Sequence, residues 1–290
     1  METRNLKELL AATLHQNPNK SAVISSRDQV LFTHSYGDLS GQVNTVGRYL
    51  IRCGIGKGDR IGLMSENRLE WIIAYLAVVS IGAVIVPISI FWEVTELSAV
   101  LKSSKMRSIF TSNFYLEKLL PLLNPNQDSS LESAICFDDP DDAEYKSDRV
   151  IGFSGIFSKT ANEADDADIQ INPDDTAEIL FVSSKLGIKL SHASILANIE
   201  GIVDTLYTDR PNDRKIMTIF PYSHLYPTVF GILLPLYMGW SVIISDNGRM
   251  DRIFKMIKQT RPEYILMFPL LLKRFLNRLE MRLKKKTISE

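Results

Sequence analysis

The stretch Asp59–Ser89, DRIGLMSENRLEWIIAYLAVVSIGAVIVPIS, decides the fold class of this chain. Its first segment, "DRIGLMS", is a short apolar run typical of a buried strand, and Asn67 is placed to cap a helix over residues 68–80. Gly82 interrupts the apolar pattern, and the β-branched segment "AVIVPIS" predicts a second buried strand. Strand, helix and strand in this order predict a parallel unit of sheet with a helix on one face.

The same alternation of helix and strand continues on both sides of this unit. The segment "SYGDLSGQVNTVGRYLIRCGI" has Leu39, Val43, Val46 and Leu50 at helical spacing, and "DTAEILFVSS", "WSVIIS" and "EYILMFP" predict strands between helices in the second half. We therefore expect an α/β fold of two stacked sheet-and-helix subdomains.

Two acidic stretches suggest where these subdomains divide. Asp138–Asp148 and Asn162–Asp168 contain few apolar residues and have the composition of solvated loops. They predict a first subdomain over residues 1–160 and a second over residues 161–290.

Composition excludes several classes of protein. The chain has 290 residues, of which 45% are hydrophobic and 23% are charged, as in ordinary globular proteins. The net charge of −1 and the lack of a nucleic-acid-binding motif argue against a nucleic-acid partner. Cys53 and Cys136 lie far apart without metal-ligand spacing, so we expect reduced thiols and no metal site. The N-terminal segment lacks an apolar leader pattern, which favours a cytoplasmic location.

Two apolar runs are long enough to cross a bilayer, and a membrane protein is the alternative they raise. They are Trp71–Trp92 and Ile216–Ile244. Gly82 and Pro87 divide the first run into helix-like and strand-like parts, and prolines interrupt the second. Buried helices and strands therefore explain both runs better than membrane spans.

A short polar turn interrupts the stretch Ile179–Asn198, ILFVSSKLGIKLSHASILAN. The pattern predicts a strand, a turn over Ser183–Gly187 and a helix capped by Ser191. Proteins often hold phosphate between a strand and a helix, but they do so with glycine-rich loops. This turn is short and has a single glycine, so an ordinary tight connection is the alternative reading.

Taken in order, three segments resemble the N-terminal half of the adenylate-forming, AMP-binding superfamily. The long-chain fatty acid–CoA ligases are the most similar members. The segments are Ser35–Ser89, Asp175–Ile199 and "FPYSHLYPTVFGILLPLYMGWSVI" over Phe220–Ile243. The resemblance extends over nearly the whole chain. It implies a lineage of ATP-dependent carboxylate adenylation followed by transfer to CoA, with ATP, Mg and CoA as the family's cofactors.

Against this family the phosphate loop is shortened. The family's loop reads approximately [ST]SGTTGxPKG, and Ser183, Ser184, Lys185 and Gly187 are what corresponds to it here, with four residues missing. The family's later nucleotide-binding motifs and its catalytic lysine have no counterpart in this sequence. We therefore expect a truncated, inactive remnant or pseudoenzyme that has no catalytic residues and uses no cofactor by itself.

The resemblance also implies an acyl-substrate wall formed by Tyr222, His224, Tyr226 and Phe230, which would contact a fatty acyl chain. Two other functions stay open: a module that binds an acyl chain or a protein, and one half of a split ligase completed by another polypeptide. The basic amphipathic segment 270–286 suggests either contact with a membrane surface or docking on the protein's own sheet.

Overall fold

A computed structural model describes residues 5–16, 18–27, 30–123, 130–138, 148–160, 169–206, 213–245 and 250–287. The strands are Ser21–Arg27 (β1), Val30–Ser35 (β2), Arg60–Met64 (β3), Val84–Pro87 (β4), Ser108–Thr111 (β5), Ser133–Cys136 (β6), Val150–Gly152 (β7), Thr176–Ser183 (β8), Leu186–Ser191 (β9), Lys215–Thr218 (β10), Ser241–Ile244 (β11) and Tyr264–Leu266 (β12).

The helices alternate with these strands. They are Leu6–Gln16 (α1), Tyr36–Arg52 (α2), Leu69–Ser80 (α3), Val94–Ser104 (α4), Asn113–Leu119 (α5), Ser154–Thr160 (α6), His192–Leu206 (α7), Leu225–Thr228 (α8), Leu234–Tyr237 (α9), Met250–Thr260 (α10) and Pro269–Thr287 (α11). A 3₁₀ turn over Leu120–Leu123 follows α5, and a π-helical turn over Val229–Leu233 joins α8 to α9.

The strands form two sheets. Sheet A has the order β12–β10–β11–β1–β2, and sheet B has the order β7–β6–β5–β3–β4–β8–β9. Both are parallel except at one edge each, where β1 pairs with β2 and β8 pairs with β9 as antiparallel hairpins. The predicted α/β class with two sheet-and-helix layers is confirmed.

Helix α3 lies at the centre of the molecule. Its residues 71–79 are all buried, as expected for a helix that is apolar on every side. It contacts sheet B through Tyr75, which bonds to Glu178 of β8, and the segment after β10 of sheet A through Trp71, which packs on Tyr222. Helix α3 thus contacts elements associated with both sheets.

Helix α2 forms for reasons visible in its sequence. The side chain of Ser35 accepts a hydrogen bond from the amide of Asp38, and the Asp38 carboxylate accepts one from the amide of Ser35. This reciprocal cap fixes the start of the helix. The predicted apolar positions Leu39, Val43 and Val46 are buried, as is Leu50.

Sheet membership does not follow chain order. Sheet A combines the N-terminal hairpin β1–β2 with β10, β11 and β12, while sheet B extends from β3 to β9. Each sheet therefore has strands from both sides of residue 160, and the subdomain boundary at that residue stays a prediction. Of the two acidic stretches, residues 139–147 of the first and all of the second, Asn162–Asp168, lie outside the described residues.

Both apolar runs that raised the membrane alternative fold as buried elements. Trp71–Trp92 contains most of α3 and all of β4, and Ile216–Ile244 runs from β10 to β11 through α8 and α9. Among the residues that the structure describes, none of the helices is long and apolar enough to cross a bilayer.

Candidate functional site

The segment that resembles a phosphate loop is the turn of a β-hairpin. Ser183 at the end of β8 pairs with Leu186 at the start of β9, so the turn consists of Ser184 and Lys185 alone. The amide of Lys185 already donates to the Ser183 hydroxyl, over 3.4 Å. The predicted helix after Ser191 is present, but the strand β9 between the turn and that helix was not predicted, although "LGIKLS" alternates apolar and other residues with the period of a strand.

Packing explains the glycine of this hairpin. A Cβ atom on Gly187 would lie 3.0 Å from Cζ of Phe181 and 3.1 Å from Cγ2 of Ile179. At these distances a Cβ atom would require the side chains of Phe181 or Ile179 to shift by a few tenths of an ångström, so glycine allows β9 to approach the Phe181 ring closely. The glycine therefore has a role in the sheet that does not involve a phosphate.

The start of α7 has no amide available for an anion. The side chain of Ser191 accepts from the amide of Ser194 at 3.2 Å, which confirms the predicted cap. The amides of His192 and Ala193 donate to the carbonyls of Asp175 and Pro173, at 3.1 and 2.8 Å. The first-turn donors that bind phosphate in other proteins are thus already satisfied.

His192 is a structural residue. Its ring is fully buried, and its Nδ1 accepts a hydrogen bond from the amide of Leu6 at 3.3 Å, which ties α7 to α1. Burial lowers the pKa of His192 from 6.5 to about 4, so the ring is neutral at physiological pH.

An asparagine from the other sheet holds the segment that follows β10. The side chain of Asn67 donates to the carbonyl of Phe220 at 2.6 Å and accepts from the amide of Tyr222 at 2.9 Å. The predicted cap of α3 by Asn67 is therefore wrong, because its amide group is used in this clamp and Arg68 takes the N-cap position. The clamp fixes the turn at Pro221 against sheet B.

The four predicted acyl-wall residues point in different directions. Tyr222 is fully buried and packs on Trp71 with ring centroids 5.3 Å apart. Tyr226 and Phe230 pack on each other at 4.8 Å, and 49% of the Tyr226 surface is exposed. His224 is exposed at the N-cap position of α8. Only Tyr226 and Phe230 therefore share a surface, and the substrate role of all four stays a prediction.

Two further aromatic residues enlarge this surface. Phe220 packs edge-on against Tyr226 at 5.8 Å and against Phe268 at 5.2 Å. The π-helical turn that carries Phe230 also contains Gly231. The side chain of Thr218 in β10 occupies the space that a Cβ atom at position 231 would need. Pro235 has no amide hydrogen to donate to this turn, which favours the wider π geometry. Phe220, Tyr226, Phe230 and Phe268 together form what we call the aromatic cluster.

The interior contains a buried pair of polar side chains, Tyr75 and Glu178. The Tyr75 hydroxyl donates to Oε2 of Glu178 at 2.8 Å, and the Tyr75 ring stacks on Trp71 at 5.4 Å. Glu178 is fully buried, and burial raises its pKa from 4.5 to about 7 despite the opposing effect of the Tyr75 hydrogen bond. No local sequence pattern indicates this pair, because its members lie 103 residues apart.

Helix α11 docks through one edge of its predicted apolar side. Leu271 is buried and Phe275 stacks on Phe254 of α10 at 4.7 Å, whereas Leu272 and Leu276 are 44% and 48% exposed. Packing of α11 on the rest of the chain thus covers part of its apolar side, and contact with a membrane surface stays a prediction. Within the described residues, no group of three or more His, Cys, Asp or Glu side chains could hold a metal ion.

Comparison with known proteins adds the family. The model of the AMP-binding enzyme family matches residues 10–289, almost the whole chain. The chain belongs to the AMP-binding enzyme family. The resemblance seen in the sequence is thereby confirmed at the level of the family.

Curated members of the AMP-binding family are similar at low identity. A medium/long-chain-fatty-acid–CoA/3-oxocholest-4-en-26-oate–CoA ligase of Mycolicibacterium smegmatis is 27% identical over 161 residues, which cover 56% of this chain and 28% of that protein. The 4-coumarate–CoA ligase CCL1 of Humulus lupulus is 23% identical over 255 residues, which cover 85% and 44%. The chain therefore spans less than half the length of these relatives.

Solved structures of family members share the fold. The N-terminal domain of FACL13 from Mycobacterium tuberculosis matches with a TM-score of 0.78 and 18% identity, covering 93% of this chain and 64% of that one. The acyl-CoA synthetase of Brucella canis matches with a TM-score of 0.81 and 15% identity, covering 94% and 49%. The two-sheet architecture is that of an acyl-CoA synthetase N-terminal domain.

Proposed function

We propose that this chain is an acyl-CoA-ligase-like domain that does not form acyl adenylates by itself. The carrying observation is the two-residue turn Ser184–Lys185, which joins two paired strands at the position of the family's phosphate loop. A triphosphate needs several converging amides, but successive amides of the paired strands β8 and β9 point alternately to opposite sides of each strand and do not converge. The residues present do not fit the nucleotide phosphates, so the chain lacks the contacts that adenylation requires.

The loss can be expressed as affinity. Hydrogen bonds to a charged phosphate contribute about 1.5–3 kcal/mol each. The absence of about three of them removes roughly 5–9 kcal/mol, or a factor on the order of thousands to millions in affinity.

An ATP–pyrophosphate exchange assay with a panel of fatty acids and 4-coumarate tests this proposal. We expect no exchange above the background without enzyme, while a ligase from the same family, assayed in parallel, shows that the substrates and conditions are competent. Exchange that depends on both the protein and a carboxylate would contradict the proposal.

The aromatic cluster favours a second candidate function, the binding of an acyl chain without its activation. Tyr226 is 49% exposed although it packs against two other aromatic rings, and exposed apolar patches of this kind mark candidate sites for apolar ligands. Calorimetric titration with fatty acids tests the idea. Tyr226→Ala should weaken binding, whereas Phe114→Ala, which removes an 81% exposed ring beside sheet B, should leave it unchanged. Absence of heat at every chain length would exclude this function.

A further inference from the structure

In sheet B, the side on which successive strands are added changes between β4 and β5. The chain passes from β3 to β4 on one side and then crosses to β5 on the other side of β3. In α/β sheets, ligands bind in the crevice outside the carboxyl ends of the strands at such a point. The crevice here begins where β3 and β5 end, at Met64 and Thr111.

A cleft of about 810 Å³ opens at this position. Residues after β3, β5 and β6 form its sheet B side, and the ends of β1 and β11 with part of β2 form its sheet A side. Its volume lies within the range of about 300–1,000 Å³ that small-molecule sites occupy. Neither the hairpin turn Ser184–Lys185 nor the aromatic cluster is among the described residues that line this cleft. Asn67 lines the cleft and also bonds to the carbonyl of Phe220, a member of the aromatic cluster.

The sheet B side of the cleft is an organised charged wall. The Arg68 guanidinium contacts Glu70 at 2.8 Å, Glu66 at 3.2 Å and Asp138 at 3.0 Å. Further hydrogen bonds fix two of these carboxylates: the Ser112 hydroxyl donates to Glu66 at 2.7 Å, and a backbone amide donates to Asp138 at 3.0 Å. Three carboxylates thus share one guanidinium, which leaves the wall with an excess of negative charge.

The opposite wall adds an aromatic face and few charges. Phe32 of β2 is 46% exposed in the cleft, and the His34 ring bonds to the Ser25 hydroxyl at 3.2 Å. Among the described residues that line the cleft, Arg27 at the end of β1 is the charged side chain on this side, so three carboxylates accompany two guanidinium groups there. Fixed carboxylates opposite an aromatic ring are the elements that recognise organic cations.

We propose that this cleft binds a small organic cation, an amine or a guanidinium compound. Glu70 is the residue that would contact it: Arg68 uses only Oε2 of this carboxylate, and the side chain is 30% exposed. The ring of Phe32 covers the ligand from the other side. The carboxylates do not converge in a way that would hold a metal ion, which separates this site from a metal centre.

Titration calorimetry of the full chain with spermidine and with agmatine at low ionic strength tests the proposal. Wild-type protein should bind one of these probes with a saturable signal that weakens as salt is added. Glu70→Gln should weaken binding about two- to fivefold, the range expected for a partly exposed ion pair. Phe32→Ala should also weaken it.

Glu132→Gln is the matched control, because Glu132 is likewise paired with one arginine, Arg107, but lies directly before β6, at the amino ends of the strands of sheet B and away from the cleft at their carboxyl ends. It should leave binding unchanged, and circular dichroism checks that each variant is folded. Absence of binding at millimolar probe, or an equal effect of Glu70→Gln and Glu132→Gln, would overturn the proposal. Neither outcome bears on adenylation, because the exchange assay requires a different part of the molecule.

Discussion

Replacing Glu178 by Gln should stabilise the protein at neutral pH. Burial raises the pKa of Glu178 from 4.5 to about 7, so the folded state holds a proton that the unfolded state has released between these two pH values. Each unit of pKa difference corresponds to about 1.36 kcal/mol. The raised pKa therefore costs about 3 kcal/mol of folding free energy once the pH exceeds 7.

The direction of the pH dependence follows from which state, folded or unfolded, binds the proton. Below pH 4.5 Glu178 is protonated in both states and its contribution to stability is fully present; that contribution is then lost as the pH rises through about 7. Glutamine keeps a group that can bond to the Tyr75 hydroxyl but cannot ionise. Glu178→Gln should therefore equal the wild type near pH 4.5 and exceed it by about 3 kcal/mol near pH 8.

Urea denaturation followed by circular dichroism at a series of pH values measures this difference. Subtracting the wild-type curve from the variant curve removes the contributions of all other titrating groups. Tyr75→Phe provides the complementary test: it removes the hydroxyl that donates to the carboxylate, so it should be most destabilising at high pH. A difference between Glu178→Gln and the wild type that does not change with pH would refute the reasoning.

Two other predictions concern stability. Asn67→Ala removes both hydrogen bonds that hold the Pro221 turn, so it should cost about 1–3 kcal/mol in urea denaturation, whereas Asn198→Ala, which removes one exposed hydrogen bond, should cost less than about 1 kcal/mol; equal costs would contradict the clamp. Burial of His192 lowers its pKa from 6.5 to about 4, so the contribution of this ring to stability falls by about 3 kcal/mol as the pH falls from 6.5 to 4, opposite in sign to the contribution of Glu178. The stability of the wild type relative to His192→Asn should therefore decrease by about that amount over this range. An unchanged pH profile in that variant would show that another group is responsible.

Local patterns predicted much of the fold. The apolar run of α3, its end at Gly82 and the strand that follows are all present, and Gly82 has the positive φ of 71° that makes glycine suitable there. The strand β9 was not predicted, although apolar and other residues alternate in "LGIKLS". The segment resembles a loop before a helix, and that resemblance led to the different prediction.

Contacts between residues far apart in the chain could not be predicted from local sequence patterns. The pairing of β1 with β11 joins residues more than 200 positions apart, and no local pattern specifies it. The candidate site shows the same limit: Tyr222 and His224 are two residues apart, yet the clamp by Asn67 directs one into the core and leaves the other in solvent. A buried carboxylate such as Glu178 is equally invisible until its partner on α3 is known.

Calorimetric titration of the chain with MgATP is the most direct test of the claim that the β8–β9 turn cannot cradle a triphosphate. Wild-type protein should give no saturable heat, whereas insertion of Gly-Thr-Thr-Gly between Ser184 and Lys185 should produce measurable binding, and insertion of Gly-Asp-Asp-Gly at the same place should not. Micromolar binding by the wild type that disappears in Lys185→Ala would contradict the claim.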